Sequence, residues 1–354
     1  MVQEREKKFL LQTYERSPLV AARGEGCYLT DVDGKRYLDV IAGIGVNALG
    51  YSHPRVMAVL IEQAQLCIHT SNLVFHCWQG LLAEKLCAIS GMDRAFFSNS
   101  GTEAMEAALK AARSHGRSLS PKKIGLVALH NSFHGRTFGS LAVTGQPKLR
   151  EAFEPLGGHI TFVERDDEEG LRAAIGEDTA AVVLEPVLGE GGIYPLSDHF
   201  LRRAREFASE YDALLIADET QCGLGRTGMH FAYQWPAVEP DIVVTAKPLA
   251  AGLPLGATLF KENAAGFLPL HAHGTTFGGG PLACRVALEF LAIMDELLPH
   301  IREIGEELRR IKTAPFDYYG GSIERNDVRN SIVGGRAAGS EGRVGAGSAA
   351  QLYT

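Results

Sequence analysis

Residues 200–223 read FLRRAREFASEYDALLIADETQCG, and the order of patterns inside this stretch decides the fold. Phe200, Leu201, Ala204, Phe207 and Ala208 recur at the spacing of one helix face, with charged residues between them. Past Asp212 the pattern becomes an unbroken apolar run, Ala213 to Ala217, that stops at Asp218-Glu219. A helix feeding a strand with no polar alternation fits a parallel sheet covered on both faces. The pattern spreads outward from here. RAFFSNSGTEAMEAALKAAR (94–113) reads as strand, turn and strong helix. KIGLVALHNSFHG (123–135), TAAVVLEPVLGEGG (179–192) and DIVVTAKP (241–248) each read as a strand running into a polar turn. Residues 54–68 and QGLLAEKLCAIS (79–90) read as helices, the second stopping before Gly91. Residues 17–41 read as short strands, with Asp33-Gly34 as a hairpin turn. The predicted fold class is α/β: a mostly parallel central sheet with helices on both faces, plus a small, incomplete α/β lobe.

The length suits one large α/β domain with a smaller lobe, or two domains. The chain has 354 residues, 45% of them apolar and 22% charged, with formal net charge −7. This is ordinary globular composition, and no basic stripe suggests a nucleic-acid partner. Six cysteines (Cys27, Cys67, Cys77, Cys87, Cys222, Cys284) form no C-x-x-C pair, which argues against a zinc site or disulfide framework and for a reducing cytoplasm. The charged start MVQEREKKFLLQ lacks a signal-peptide core, and no apolar run is long enough to span a membrane. The expected organisation is an N-terminal segment of a small lobe (1–50), a large domain (51–290), a connecting helix (291–312) and a low-order tail (313–354). The helix 284–312 is amphipathic, and Pro299 is expected to break or kink it. The tail is rich in Gly, Ser, Ala and Arg without apolar period, and a shift of reading frame near 313–320 would explain the change.

In open parallel sheets the chemistry gathers at the carboxyl ends of the strands. The polar groups placed there are Ser100-Gly101-Thr102, Phe133-His134, Glu185, Asp218 and Lys247. Each has two readings. NSGTEA (99–104) is either a phosphate cradle at a helix N-terminus or a plain N-cap. Asp218-Glu219 could serve a metal, ribose hydroxyls or a ring nitrogen, or form a solvated turn. Lys247, alone in the apolar window 243–257, either snorkels to solvent or is a nucleophilic amine that bonds to a carbonyl cofactor. GLGRTG (223–228) matches the dinucleotide fingerprint but neither follows a strand directly nor opens a helix, so it reads as a decoy. Taken together, the cradle, the aromatic-His turn, the strand-end acid and the strand-end lysine match the needs of pyridoxal 5′-phosphate.

The chain resembles class III, fold-type I aminotransferases, over roughly residues 14 to 290. The resemblance is carried by GEGCYLTDVDGKRYLDVIAGIGVNALGYSHP, HTSNL, FFSNSGTEAMEAALKAAR, FHGRT, LEPVLGEGG, ADETQCGLGRTG, AKPLAAGLPLGA and HGTTFGGGPLAC, in family order. It implies that Lys247 bonds to the cofactor aldehyde and shuttles the proton. It also implies that Asp218 pairs with the pyridine nitrogen, Gln221 reaches the phenolic oxygen, Phe133 stacks on the ring, and Gly101 and Thr102 bind the phosphate. Thr276 would bind the phosphate of a second subunit's cofactor, making the active unit a homodimer. Arg136 would clamp the substrate's α-carboxylate, Thr275 would sit near the substrate, and Glu190 would act as a gate that pairs with an arginine. The implied reaction moves the amino group of N2-acetyl-L-ornithine to 2-oxoglutarate, a step of arginine biosynthesis, with no metal. Another ω-aminotransferase activity (ornithine, succinylornithine, GABA or a lysine derivative), a related aminomutase, or a cofactor-binding chain with little turnover are the alternatives. The sequence departs from the family at Met105, at Ala250-Ala251-Gly252, and at the C-terminus, where the family's L-R-F-x-P-P segment, with its arginine, does not occur.

Overall fold

The computed structural model describes residues 1–313. Strands are β1 (Ala21–Glu25), β2 (Tyr28–Asp31), β3 (Arg36–Leu38), β4 (Arg94–Ser98), β5 (Gly125–Leu129), β6 (Ile160–Val163) and β7 (Thr179–Leu184). They continue with β8 (Val187–Leu188), β9 (Tyr194–Pro195), β10 (Leu214–Asp218), β11 (Ile242–Thr245) and β12 (Gly256–Phe260). A seven-stranded sheet has the order β4-β12-β11-β10-β7-β5-β6. β12 runs antiparallel to both neighbours, and the other six share one direction. In register, Ile216 stands opposite Val183 on one side and Ile242 on the other. A separate antiparallel sheet has the order β1-β2-β3, and its β2–β3 turn contains Asp33-Gly34.

Side chains alternate across the pleat, and both faces of the large sheet are apolar, which is why the strand sequences do not alternate. Leu126, Ala128, Ala181, Val183, Leu214, Ile216, Ile242 and Val244 face one way, onto the helix Gly101–Leu119. Val127, Leu129, Val182, Leu184 and Leu215 face the other, onto the helix Asp198–Glu210. That helix buries Phe200, Leu201 and Phe207, each contributing about 1.5–3 kcal/mol. Ser197 caps its start by accepting the Phe200 N–H at 3.1 Å. Ala217, Val243, Ala257 and Leu259 pack with the helices Gln79–Ser90 and Pro281–Thr313. The first ends at Gly91, whose φ of 71° is the left-handed stop that glycine takes without strain.

Pro299 does not break the helix that holds it. The last helix is continuous from Pro281 to Thr313, with Pro299 inside it. A proline removes one hydrogen bond and costs roughly 3 kcal/mol in a helix interior. Here the face carrying Val286, Ala287, Phe290, Leu291, Ile293, Met294 and Leu298 is buried before Pro299, and Ile301 packs after it, so tertiary contact offsets the local cost. Residues 291–312 are the later part of this helix. The tail expected over 313–354 lies, apart from Thr313, outside the described residues. Among the described residues no helix is long and apolar enough to cross a membrane.

Candidate active site

A cavity of about 420 Å³ opens at the carboxyl ends of the parallel strands. Asn99 and Ser100 follow β4, Phe133 to Arg136 follow β5, Glu185 follows β7, Asp218 ends β10, and Lys247 follows β11; all line it. Leu253 to Leu255 enter from the amino end of β12, which lies on the same side because that strand is reversed. Gly101, Thr102, Glu190 and Gln221 complete the predicted set in the cavity wall. Of the ten residues singled out in the sequence, Thr275 and Thr276 do not line it. The Thr275 hydroxyl accepts from the Asn99 amide at 3.2 Å, so it stands directly behind a wall residue. Thr276 is exposed.

The N-cap reading of NSGTEA is borne out. The Ser100 hydroxyl caps the helix by accepting the Glu103 N–H at 3.3 Å, and the Glu103 carboxylate accepts the Asn99 N–H at 2.7 Å. The Thr102 hydroxyl is engaged with Ser140 at 2.6 Å and Thr137 at 2.9 Å. What the turn offers an anion is therefore backbone: the Gly101 and Thr102 N–H groups, which have no acceptor within the helix. A Cβ on Gly101 would lie 2.7 Å from Thr220 Cγ2, so only glycine allows this approach.

Buried deeper, Asp218 Oδ2 meets His134 Nδ1 at 2.8 Å, and Asp218 Oδ1 accepts the Thr220 N–H at 3.0 Å. Burial works against a charge on His134, but the hydrogen bond and charge of Asp218 prevail and hold its pKa above the ordinary value. Its other nitrogen, Nε2, has no partner, and neither has Gln221 Oε1. Buried polar atoms without partners are rare, and both of these belong to residues of the cavity wall. Burial lowers the pKa of Lys247, opposed first by Glu190 and then by Glu185 and Asp218. A lysine so placed is more often neutral, and so more nucleophilic, than a surface lysine. Arg136 is exposed at the mouth, its guanidinium 5.6 Å from the Phe133 ring centroid.

The His134 contact carried no assigned role in the sequence, although the histidine next to Phe133 was its visible signal. Glu185 and Asn99 were likewise not assigned; each sits one residue past a strand end. Glu219 points away from the cavity: its carboxyl accepts the Tyr233 N–H at 2.9 Å and the Cys222 thiol at 3.2 Å. GLGRTG passes from β10 to a short turn of helix at Ala232–Gln234, with no helix opening inside it, so it is not a dinucleotide loop.

The sequence profile described as Aminotransferase class-III matches residues 11–313. The acetylornithine aminotransferase of Methanocaldococcus jannaschii is 46% identical over 83% of this chain and 74% of its own. That of Aquifex aeolicus is 43% identical over 84% of this chain and 79% of its own. The solved structure of the ornithine aminotransferase from Toxoplasma gondii matches with a TM-score of 0.84 at 30% identity, covering 92% of this chain and 78% of that one. The cofactor of such enzymes is pyridoxal 5′-phosphate. The cavity fits it, with an amine at Lys247, an acid at Asp218, an unpartnered Gln221 oxygen and a helix N-terminus at Gly101. The chain belongs to the class-III aminotransferases.

Proposed function

We propose that this chain transfers the δ-amino group of N2-acetyl-L-ornithine to 2-oxoglutarate, giving N-acetyl-L-glutamate 5-semialdehyde and L-glutamate, as a step of arginine biosynthesis. The observation that carries the chemistry is Lys247, a desolvated amine in one cavity with the Asp218–His134 pair. The substrate rests on the acetylornithine aminotransferases that the chain is 43% and 46% identical to. When bound, pyridoxal phosphate supplies an aldehyde for the amino group and an electron-poor ring that stabilises negative charge on the neighbouring carbon. Asp218, held by His134 at 2.8 Å, would pair with the ring nitrogen. Lys247 Nζ would hold the cofactor through its aldehyde and, once freed, would move the proton at the substrate carbon. Phe133 forms one wall against the ring, and Gln221 reaches the phenolic oxygen. The N–H groups of Gly101 and Thr102 take the phosphate.

Arg136 binds the α-carboxylate, for which a guanidinium fork is the matching group. This favours ornithine derivatives over GABA, which carries no α-carboxylate. Thr275 sets Asn99 beside the substrate, and Glu190 is the gate. Thr276 serves the phosphate site of a second copy in a homodimer. That reading is supported by the exposed apolar residues Leu73, Val74, Phe75 and Phe277. Asn72 donates to the carbonyls of Thr275 at 3.2 Å and Gly278 at 3.1 Å, so this surface and Thr276 form one patch. The cytoplasm is the expected compartment.

The test is a titration of the purified chain with pyridoxal phosphate, followed by N-acetylornithine, ornithine, succinylornithine and GABA in separate cuvettes. Uptake giving a visible band that bleaches with N-acetylornithine and returns with 2-oxoglutarate is the expected result. Bleaching by GABA or ornithine alone would move the substrate assignment. Borohydride should fix the cofactor on Lys247 and not in Lys247→Ala; attachment elsewhere would overturn the reading.

A further inference from the structure

Glu185 is 4% exposed and belongs to the cavity wall, yet the transfer itself gives it no task. It leaves β7 at its carboxyl end, and its two oxygens reach different loops. Oε2 accepts the Phe133 N–H at 2.8 Å, and Oε1 accepts the Gly189 N–H at 3.3 Å. Phe133 lies in the turn after β5, and Gly189 in the loop between β8 and β9 that also carries Glu190. The Gly189 backbone rests against Gln221: a Cβ there would stand 1.3 Å from Gln221 Oε1. One side chain thus ties together the aromatic wall, the seat of Gln221 and the loop of the proposed gate. If packing alone mattered, an apolar residue would fill this site without the cost of desolvating a carboxyl. Only an acceptor with two oxygens at this reach can bind both N–H groups.

We infer that Glu185 is a positioning residue, a strut whose two backbone hydrogen bonds set the spacing between Phe133 and the Gly189–Gln221 contact, and so the fit of the cofactor between them. This rests on the cofactor reading above. Glu185→Gln keeps the length but exchanges one acceptor for an NH2 donor that faces an N–H. Glu185→Asp keeps both carboxyl oxygens but is one methylene too short to span both loops. Each loses at least one of the two backbone hydrogen bonds on one side of the cofactor.

The experiment compares the parent chain, Glu185→Gln and Glu185→Asp. Thermal melting of the cofactor-free proteins establishes folding. Titration with pyridoxal phosphate, read by intrinsic fluorescence and by the visible band, gives Kd and band position. Both variants are expected to melt within a few degrees of the parent, to bind about tenfold or more weakly, and to show a shifted band. In turnover, kcat is expected to fall while KM for the amino acid stays within about twofold, because the strut touches cofactor walls and not the substrate. Folded variants with the parent's Kd and band would overturn the inference. So would failure of both to fold, which would make Glu185 a core-building residue. A parent that takes up no cofactor would overturn the proposed function itself; a parent that binds, with variants that bind equally, overturns only the strut.

Discussion

Glu219 gives a prediction that needs no cofactor. Its carboxyl is fully buried, and burial pushes its pKa up to about 7, against the N–H groups of Ala232 and Tyr233 and the Cys222 thiol, which lower it. The ordinary value is 4.5. In the unfolded chain this acid ionises at the ordinary value; in the folded chain it holds its proton up to about 7. Folding therefore binds a proton between those limits, and stability is lost as pH rises through the window. The difference corresponds to about 3 kcal/mol in all, of which about 2 kcal/mol falls between pH 5.5 and 8. Glu219→Gln, which cannot ionise, removes that part. The assay is urea unfolding of the cofactor-free parent and Glu219→Gln at one chain concentration and one ionic strength, from pH 5.5 to 8. A constant offset from the new NH2 group is irrelevant, since only the change with pH is compared. The variant is expected to gain on the parent by about 2 kcal/mol across the window. Equal pH slopes in the two proteins would refute the reasoning and mean that Glu219 is already ionised at pH 5.5 in the folded state.

Other consequences follow from named contacts. The parent's own stability should fall over the same pH range by more than Glu219 explains, because Glu185 is likewise pushed up to about 7 by burial and His134 is raised, both with the same sign. Differential scanning fluorimetry across pH checks this, and a maximum above pH 8 would contradict it. Gly116→Ala would place a Cβ 2.0 Å from the Lys123 carbonyl oxygen and 2.8 Å from Ala180 Cβ. Neither backbone can yield cheaply, so the overpacking penalty of about 1–3 kcal/mol should exceed the roughly 1 kcal/mol gain in helix propensity, and a lower Tm is expected. Arg136→Ala should raise KM for N-acetylornithine by about tenfold or more through loss of a charge-assisted pair, with a smaller effect on cofactor affinity. Equal losses in both would place Arg136 in the cofactor site instead.

The sequence by itself determined what depends on neighbours along the chain. The helix-to-strand succession at 200–223, the cap at Ser100, the stop at Gly91 and the hairpin at Asp33-Gly34 are local preferences, and each appears where its residues place it. Pro299 does not end its helix, because a buried helix face outweighs one lost hydrogen bond. Strand ends were legible as well, so most of the cavity wall could be named before its shape was known. Only the tertiary structure decided which strand ends face one another. His134 and Asp218 are 84 residues apart, and Phe133 and Glu185 are 52 apart, so no periodicity connects them. These contacts exist because β10 and β7 are neighbours and β5 lies next to β7, an order set by how two apolar sheet faces are covered. The same holds for Gln221, whose amide oxygen meets Gly189 only after the β8–β9 loop has folded over the end of the sheet. Local residue chemistry names the groups a site can use; the burial of the sheet decides which of them meet.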